Sequence, residues 1–259
     1  MRTHYAFGDV DLAAERLAEL SRVFEASMLD FLKRAGLVRA RCVVDLGCGP
    51  GHTTRTLAAR LAPARMVGID GSARFIARAR HGSPRAIDYR EADLTACDLS
   101  DLSADAAYVR FVLTHLPDPG AALTRWADAL VAGGRLFVQE TAELASDHPA
   151  LARYYALVGE LQRRHGQALH IGRELVSLVD AGRYRIVSAA ETPLQVSAAD
   201  MARLHAMNIQ TWRHDDAARD FDVEEVEQLR GTLERLAADP APEARVTYVM
   251  GELVLERLP

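Results

Sequence analysis

Val43-Val44-Asp45-Leu46-Gly47-Cys48-Gly49-Pro50-Gly51 is the stretch that decides how this chain is read. An apolar run from Cys42 ends in an acid, Asp45, and three glycines follow at alternate positions. A helical pattern starts near His52. This is the order strand, tight turn, helix N-terminus. Glycine is required where the backbone takes positive φ or where a ligand must approach without meeting a Cβ. The N-terminus of the following helix presents unpaired N–H groups and a partial positive charge. The stretch therefore predicts a nucleotide or nucleoside site at the carboxyl end of a parallel strand.

The spacing bears on the ligand. A dinucleotide site calls for Gly-x-Gly-x-x-Gly; here the pattern is Gly-x-Gly-x-Gly, with His52 where the third glycine of that pattern belongs. Asp45 would repel a pyrophosphate and attract a cationic amino acid. A second short strand, Arg65-Met-Val-Gly-Ile-Asp70, ends in an acid placed to take both hydroxyls of a ribose. Asp70 can equally serve the start of the helix after Gly71-Ser72. A third segment, Ala86 to Arg90, runs into Glu91-Ala92-Asp93-Leu94. A fourth, from Asp105, carries Arg110-Phe111-Val-Leu-Thr-His115-Leu-Pro-Asp, and a fifth follows Ala132-Gly133-Gly134 and reaches Glu140.

Taken in order, these segments resemble the class I S-adenosylmethionine-dependent methyltransferases over residues 40 to 145, most closely the small-molecule methyltransferases of bacterial metabolism. Asp45-Leu-Gly-Cys-Gly-Pro-Gly is similar to that family's first motif, Ala92-Asp93-Leu94 to its acidic element after strand three, and His115-Leu-Pro-Asp to its continuation of strand four. Ala132 stands where the family usually has proline. The resemblance implies a doubly wound, mostly parallel, seven-stranded Rossmann-like α/β sheet with an antiparallel last strand. It implies S-adenosylmethionine as cofactor. Asp45, Gly47, Cys48, Gly49 and Gly51 would hold its methionine part, Asp70 and Gly71 the ribose, and Ala92, Asp93 and Leu94 the adenine. Arg110, Phe111 and His115 would line the same cleft, Tyr5 would cover its mouth, and Arg16 would meet the cofactor carboxylate.

Composition narrows the classes. At 259 residues and 49% apolar content, one large α/β domain is expected. A net charge of −5 excludes a broad nucleic-acid footprint, so no nucleic-acid partner is expected. No apolar run is long enough to span a membrane and no signal peptide opens the chain. Cys42, Cys48 and Cys97 lack metal-ligand spacing, and no histidine pair has a ligand pattern, so no metal is expected. Free thiols suit a reducing, cytoplasmic compartment.

Outside the core, periodicity predicts an amphipathic N-terminal helix over 11–34, capped by Asp9 or Asp11, within a helical cap 1–36. Residues 146–259 form an acceptor side: helices at 148–165 and 171–181, a strand at 184–190, a helical insertion at 198–238 and a terminal strand at 246–255. The N-terminal helix offers a surface for a homodimer. His115 is the candidate catalytic base, or else holds its loop by a hydrogen bond. Glu140 and Thr141 are placed to orient a small-molecule acceptor or to cap a loop, and Tyr155 and Trp212 to line an acceptor pocket or simply the core. Three other readings stand beside this one: a non-methylating enzyme that uses the cofactor for cyclisation or rearrangement, whose binding motifs would look alike; an NAD(P)-dependent oxidoreductase, against which the Gly-x-Gly-x-Gly spacing and the Asp93 element count; and a non-catalytic binding protein.

Overall fold

The computed structural model describes residues 11–83, 86–239 and 244–259. Tyr5 and Asp9 lie outside these residues. Seven strands form one sheet: β1 (Cys42–Leu46), β2 (Arg65–Asp70), β3 (Ile87–Glu91), β4 (Ala104–Arg110), β5 (Leu130–Ser146), β6 (Tyr184–Leu194) and β7 (Val246–Arg257). Their spatial order is β3-β2-β1-β4-β5-β7-β6, and β7 alone runs antiparallel to its neighbours. Strand β1 is buried along its whole length, as a continuous apolar run in a parallel sheet must be. The chain winds from β1 toward β3 on one side and resumes at β4 on the other. The reversal opens a crevice above the carboxyl ends of β1 and β4.

Helix α1 (Asp11–Arg34) covers the range that periodicity predicts. The helices α2 (His52–Leu61), α3 (Ala73–His81) and α4 (Pro119–Trp126) connect the parallel strands, and α5 (Pro149–Arg164), α6 (Ala198–Trp212) and α7 (Val223–Ala238) follow after β5. Two expectations need correction. The predicted helix at 171–181 is instead a pair of 3₁₀ turns, Ile171–Arg173 and Leu175–Leu178. Here Gly172 lies flat on the sheet backbone, and a Cβ on it would fall 2.6 Å from the Glu140 carbonyl oxygen, too close for helix packing through side chains. Also, Gly133 and Gly134 do not precede the fifth strand. Leu130 already pairs with Ala104, the next pair is Arg135 with Ala106, and the residues between bulge out.

The outer strands are longer than the core needs. Strand β5 has 17 residues and β7 has 12, and their paired ends, Glu143 to Ser146 against Val246 to Val249, project past the crevice. They carry a second apolar cluster made with α5, α6 and α7, in which Trp212, Leu161, Ile209 and Met250 are fully buried. Helix α1 bridges the two halves: Phe31 and Leu32 sit under the sheet, while Phe24 joins the second cluster. The apolar stripe of α1 is thus covered within the chain by the sheet and α6.

A buried polar chain crosses four strands on this face. Tyr108 donates to Gln139 Oε1 (2.7 Å), Gln139 donates to Glu252 Oε1 (2.9 Å), and Glu252 Oε2 accepts from Thr192 (2.7 Å) and from Arg34 at the end of α1 (2.8 Å). Each buried polar group in it has a partner, which is the condition for such a chain to be tolerated.

Gly251 on β7 faces the same turn as Gly172, and a Cβ there would stand 2.3 Å from the Gly172 carbonyl oxygen. Backbone on both sides cannot yield as a flexible side chain would. Gly251→Ala is therefore expected to lower unfolding free energy by roughly 1–3 kcal/mol. Urea unfolding measures it, and an unchanged midpoint would show that the turn moves freely off the sheet.

Candidate functional site

The glycine turn is built by the carboxyl end of β1. Gly47 has φ +76° and Gly49 φ +52°, both in the left-handed region. A Cβ on Gly47 would fall 2.3 Å from Val112 Cγ2, so the turn and the segment after β4 can touch only through glycine. The N–H groups of Gly47 and Cys48 both donate to the Ile69 carbonyl. Asp70 closes the turn from β2: its Oδ2 accepts from Gly49 N (2.8 Å) and its Oδ1 from Ser72 N (2.8 Å). The helix cap itself falls to Ser72, which accepts from Phe75 N.

Asp45 is 2% exposed and accepts a hydrogen bond from Thr54 at 2.7 Å. Burial pushes its carboxyl up to about 6, against the pull of Thr54 and Arg110 and with a small push from Asp70. A cationic group beside it would reverse that shift. Asp93 is exposed after β3, with Oδ1 accepting from the Thr95 amide and hydroxyl. Gly71 and Ala92 lie side by side at the ends of β2 and β3, where a Cβ on Gly71 would meet nothing nearer than 3.8 Å. The buried Leu94 gives its carbonyl to Trp126 Nε1 (3.0 Å).

Segment 110–115 joins this edge to a cavity. Arg110 donates to the Phe24 carbonyl in α1 (3.0 Å) and to Thr53 in α2 (3.1 Å). Phe111 adopts φ +56°, a strained conformation for a bulky residue that costs on the order of 1–3 kcal/mol. Its amide still donates to the Gln139 carbonyl, extending the β4–β5 pairing. The next two amides, of Val112 and Leu113, donate to Glu140 Oε1 at 2.7 and 2.8 Å. Glu140 is fully buried, and its Oε2 has no hydrogen-bond partner among the described residues. Desolvation raises its pKa to about 8 despite those amide donors.

The cavity lies between segment 111–115, α1, α5, α6 and the projecting ends of β5 and β7, with a volume of about 90 Å³. Phe24, Phe111, Leu144, Val158 and Met201 supply apolar wall, and Arg16, His115, Tyr154, Gln162, His205 and Asn208 supply polar wall. Phe24 packs edge-on to Phe111 at 5.2 Å between ring centres. His115 Nδ1 faces Gln167 Oε1 at 3.4 Å, and burial with the nearby Arg16 charge lowers its pKa to about 4. Among the described residues no group of acids, histidines and cysteines is arranged to hold a metal ion.

Of the residues assigned from sequence, Asp45, Gly47, Cys48, Gly49, Gly51, Asp70, Gly71, Ala92, Asp93 and Leu94 gather along the carboxyl ends of β1, β2 and β3. Phe111, His115 and Thr141 line the cavity. Glu140, Tyr155 and Trp212 do not. Glu140 points back into the β4 segment, which corrects its assignment to the acceptor. Tyr155 and Trp212 stand in the wall behind the cavity, where Trp212 packs edge-on to Phe221. Arg16, assigned to the cofactor carboxylate, hydrogen-bonds through Nε to Asn208 Oδ1 inside the cavity wall. The sequence reading gives Gln162 and Asn208 no role and leaves His205 to the surface or to packing. Their signal was there: His205 and Asn208 sit three apart on α6 and interrupt an otherwise apolar face with Met201 and Leu204.

A family model described as a methyltransferase domain matches residues 44–138. A trans-aconitate 2-methyltransferase of Azoarcus sp. is 30% identical over 228 residues, 86% of this chain and 81% of its own. Another, from Methylobacterium radiotolerans, is 33% identical over 167 residues, and the match spans only 64% of each chain. Among solved structures, an N-methyltransferase of Haemonchus contortus, in complex with phosphomonomethylethanolamine and S-adenosylhomocysteine, superposes with TM-score 0.59 at 15% identity. It covers 95% of this chain and 57% of its own. At that identity it speaks for the fold alone.

Two measurements check the site's electrostatics. Glu140 keeps its proton in the native state up to about pH 8, whereas unfolded it loses it near 4.5. Between these values the native state binds more protons, so stability falls as pH rises, by about 1.4 kcal/mol per pH unit. The lowered histidines act with the opposite sign below 6.5, so the window to use is pH 6.5 to 8. Ligand-free protein is expected to lose on the order of 1–2 kcal/mol across it, and Glu140→Gln to abolish that slope. An equal slope in the variant would remove Glu140 as its source. In NMR titration the His115 ring is expected to titrate near 4 rather than near 6.5.

Proposed function

This chain belongs to the class I S-adenosylmethionine-dependent methyltransferase family, and we propose that it transfers the methyl group of S-adenosylmethionine to a small molecule seated in the cavity under α6. The observation that carries the acceptor assignment is the double contact of segment 110–115. Val112 fills the space over Gly47 on the cofactor edge, while Phe111, Thr114 and His115 line the cavity. One short segment thus faces both reactants.

The edge suits the cofactor. Three acids, Asp45, Asp70 and Asp93, end or follow three neighbouring strands, a charge pattern that favours a cationic amino acid and hydroxyl donors over a pyrophosphate. Asp45 is held at the glycine turn by Thr54, ready for an ammonium group. Asp70 is fixed by two backbone amides and presents its carboxylate toward a ribose. Gly71 and Ala92 leave open space where a purine would lie, beside Asp93. In α1, Leu17 stands 3.5 Å from where a Cβ on Gly49 would be, so this helix roofs the turn and keeps water from it.

S-adenosylmethionine, when bound, supplies a methyl group on a cationic sulfur, already electrophilic. The chain's own task is alignment, for which proximity and orientation are worth roughly 7–11 kcal/mol. The strained Phe111 and the Glu140-held amides fix the wall between the two compartments. Apolar contacts from Phe24 and Phe111 favour a transition state in which charge is being lost. His115, neutral at pH 7, orients a hydrogen-bonding group of the acceptor and accepts its proton where one is released. We place the enzyme in the cytoplasm, in keeping with three unpaired thiols, and read the chain as one domain, with cap 1–36, core 40–145 and acceptor side 146–259. No helix among the described residues is long and apolar enough to cross a membrane.

Calorimetry with S-adenosylhomocysteine and NADH tests the reading on wild type and Asp70→Ala. The expected result is binding selective for S-adenosylhomocysteine, weakened about 10- to 100-fold in the variant, the scale of a lost charged hydrogen bond. Binding of NADH alone, or an indifferent variant, would overturn the assignment of this edge.

A further inference from the structure

We propose that the acceptor is a largely apolar small molecule recognised through a hydroxyl group by His205 and Gln162, and that it carries at most one negative charge. This rests on the reading of the cavity as the acceptor site. His205 and Gln162 both line it, each is only 4% exposed, and His205 Nε2 and Gln162 Oε1 make no hydrogen bond among the described residues. Buried polar atoms in a cavity wall call for partners from what fills the cavity.

Their chemistry follows from their neighbours. Asn208 Oδ1 accepts from Arg16, so its amide nitrogen is the end that donates to the Tyr154 hydroxyl (2.7 Å) and faces His205 Nδ1 (3.4 Å). Nδ1 therefore carries the lone pair and Nε2 the hydrogen. The ring is held in place by stacking on Tyr154, at 4.0 Å and 18°, and by the edge of Tyr155 at 5.2 Å. His205 thus has a donor left to satisfy, and Gln162 Oε1 can only accept. A hydroxyl answers both requests, since it accepts and donates. A carboxylate answers the first and is repelled by the second.

Charge points the same way. Among the described residues that line the cavity, Arg16 is the one lysine or arginine, and none is an aspartate or glutamate. Burial keeps both lining histidines uncharged at neutral pH. A tricarboxylate such as trans-aconitate, after which the relatives are named, would set at least two of its charges against neutral or apolar wall. An apolar body fits instead against Phe24, Phe111, Met201 and Leu204.

Fragment binding to the S-adenosylhomocysteine-loaded protein tests this, with phenol, fluorobenzene and trans-aconitate as probes and NMR saturation transfer as readout. Phenol is expected to bind saturably and at least about tenfold more tightly than fluorobenzene, because a site built for a hydroxyl rejects the analogue lacking it. Gln162→Leu, and His205→Phe, which retains a ring to stack on Tyr154, should each reduce phenol to the level of fluorobenzene while S-adenosylhomocysteine still binds. Trans-aconitate should neither bind saturably nor be methylated. Equal binding of phenol and fluorobenzene, or binding or methylation of trans-aconitate, would overturn the proposal while leaving the cofactor reading intact. Failure of S-adenosylhomocysteine to bind at the outset would overturn both. Should His205→Phe not fold, the phenol–fluorobenzene pair and Gln162→Leu still decide.

Discussion

The Glu140 carboxyl group, buried and gripping two consecutive backbone amides after β4, is the contact on which the rest of the site depends. Strand β4 ends at the sheet edge, where its chain would otherwise leave with unpaired N–H groups in a dry place. Glu140 supplies the acceptor from the neighbouring strand. With Val112 and Leu113 fixed, Val112 reaches the glycine turn and Phe111 is forced into its left-handed conformation facing the cavity. A protonated carboxyl suits this place better than a charged one, which is why burial lifts its pKa so far.

Around that contact the molecule separates two kinds of electrostatics. The edge formed by β1, β2 and β3 is acidic, and its acids are held in position by hydroxyl and backbone donors. The cavity is different: its described residues bring one arginine, two uncharged histidines, amides and tyrosines among apolar side chains. A cationic cofactor and a largely neutral acceptor would each meet the surroundings that suit it. The boundary between them is only six residues long, from Arg110 to His115.

The cavity exists because the outer strands outgrow the sheet. The ends of β5 and β7 run past the crevice and support α5, α6 and α7, while the close contact of Gly172 with Gly251 seats the intervening turn against their backbone. Helix α1 then ties the halves together. Its end is fixed to β7 through Arg34 and Glu252, its middle to β4 through the Phe24 carbonyl and Arg110, and its first half to α6 through Arg16 and Asn208.

The gathering of glycines and acids at the ends of β1, β2 and β3 was legible in the sequence because it is local. Strand, turn and acid recur within a few residues of one another, and glycine spacing is fixed by backbone geometry that no distant contact alters. The same holds for α1, whose 3.6-residue periodicity marked its buried face. The cavity was not legible, because its wall is assembled from residues far apart in the chain. Arg16 and Asn208 are partners across 192 positions, and a polar residue on an apolar helix face does not say what it will meet. Glu140 shows the difference most plainly. Sequence placed it at the end of the fifth strand's core, near an acceptor. Only the tertiary structure could turn its carboxyl back to the neighbouring strand, because the two amides that needed an acceptor are brought there by the sheet and not by the chain.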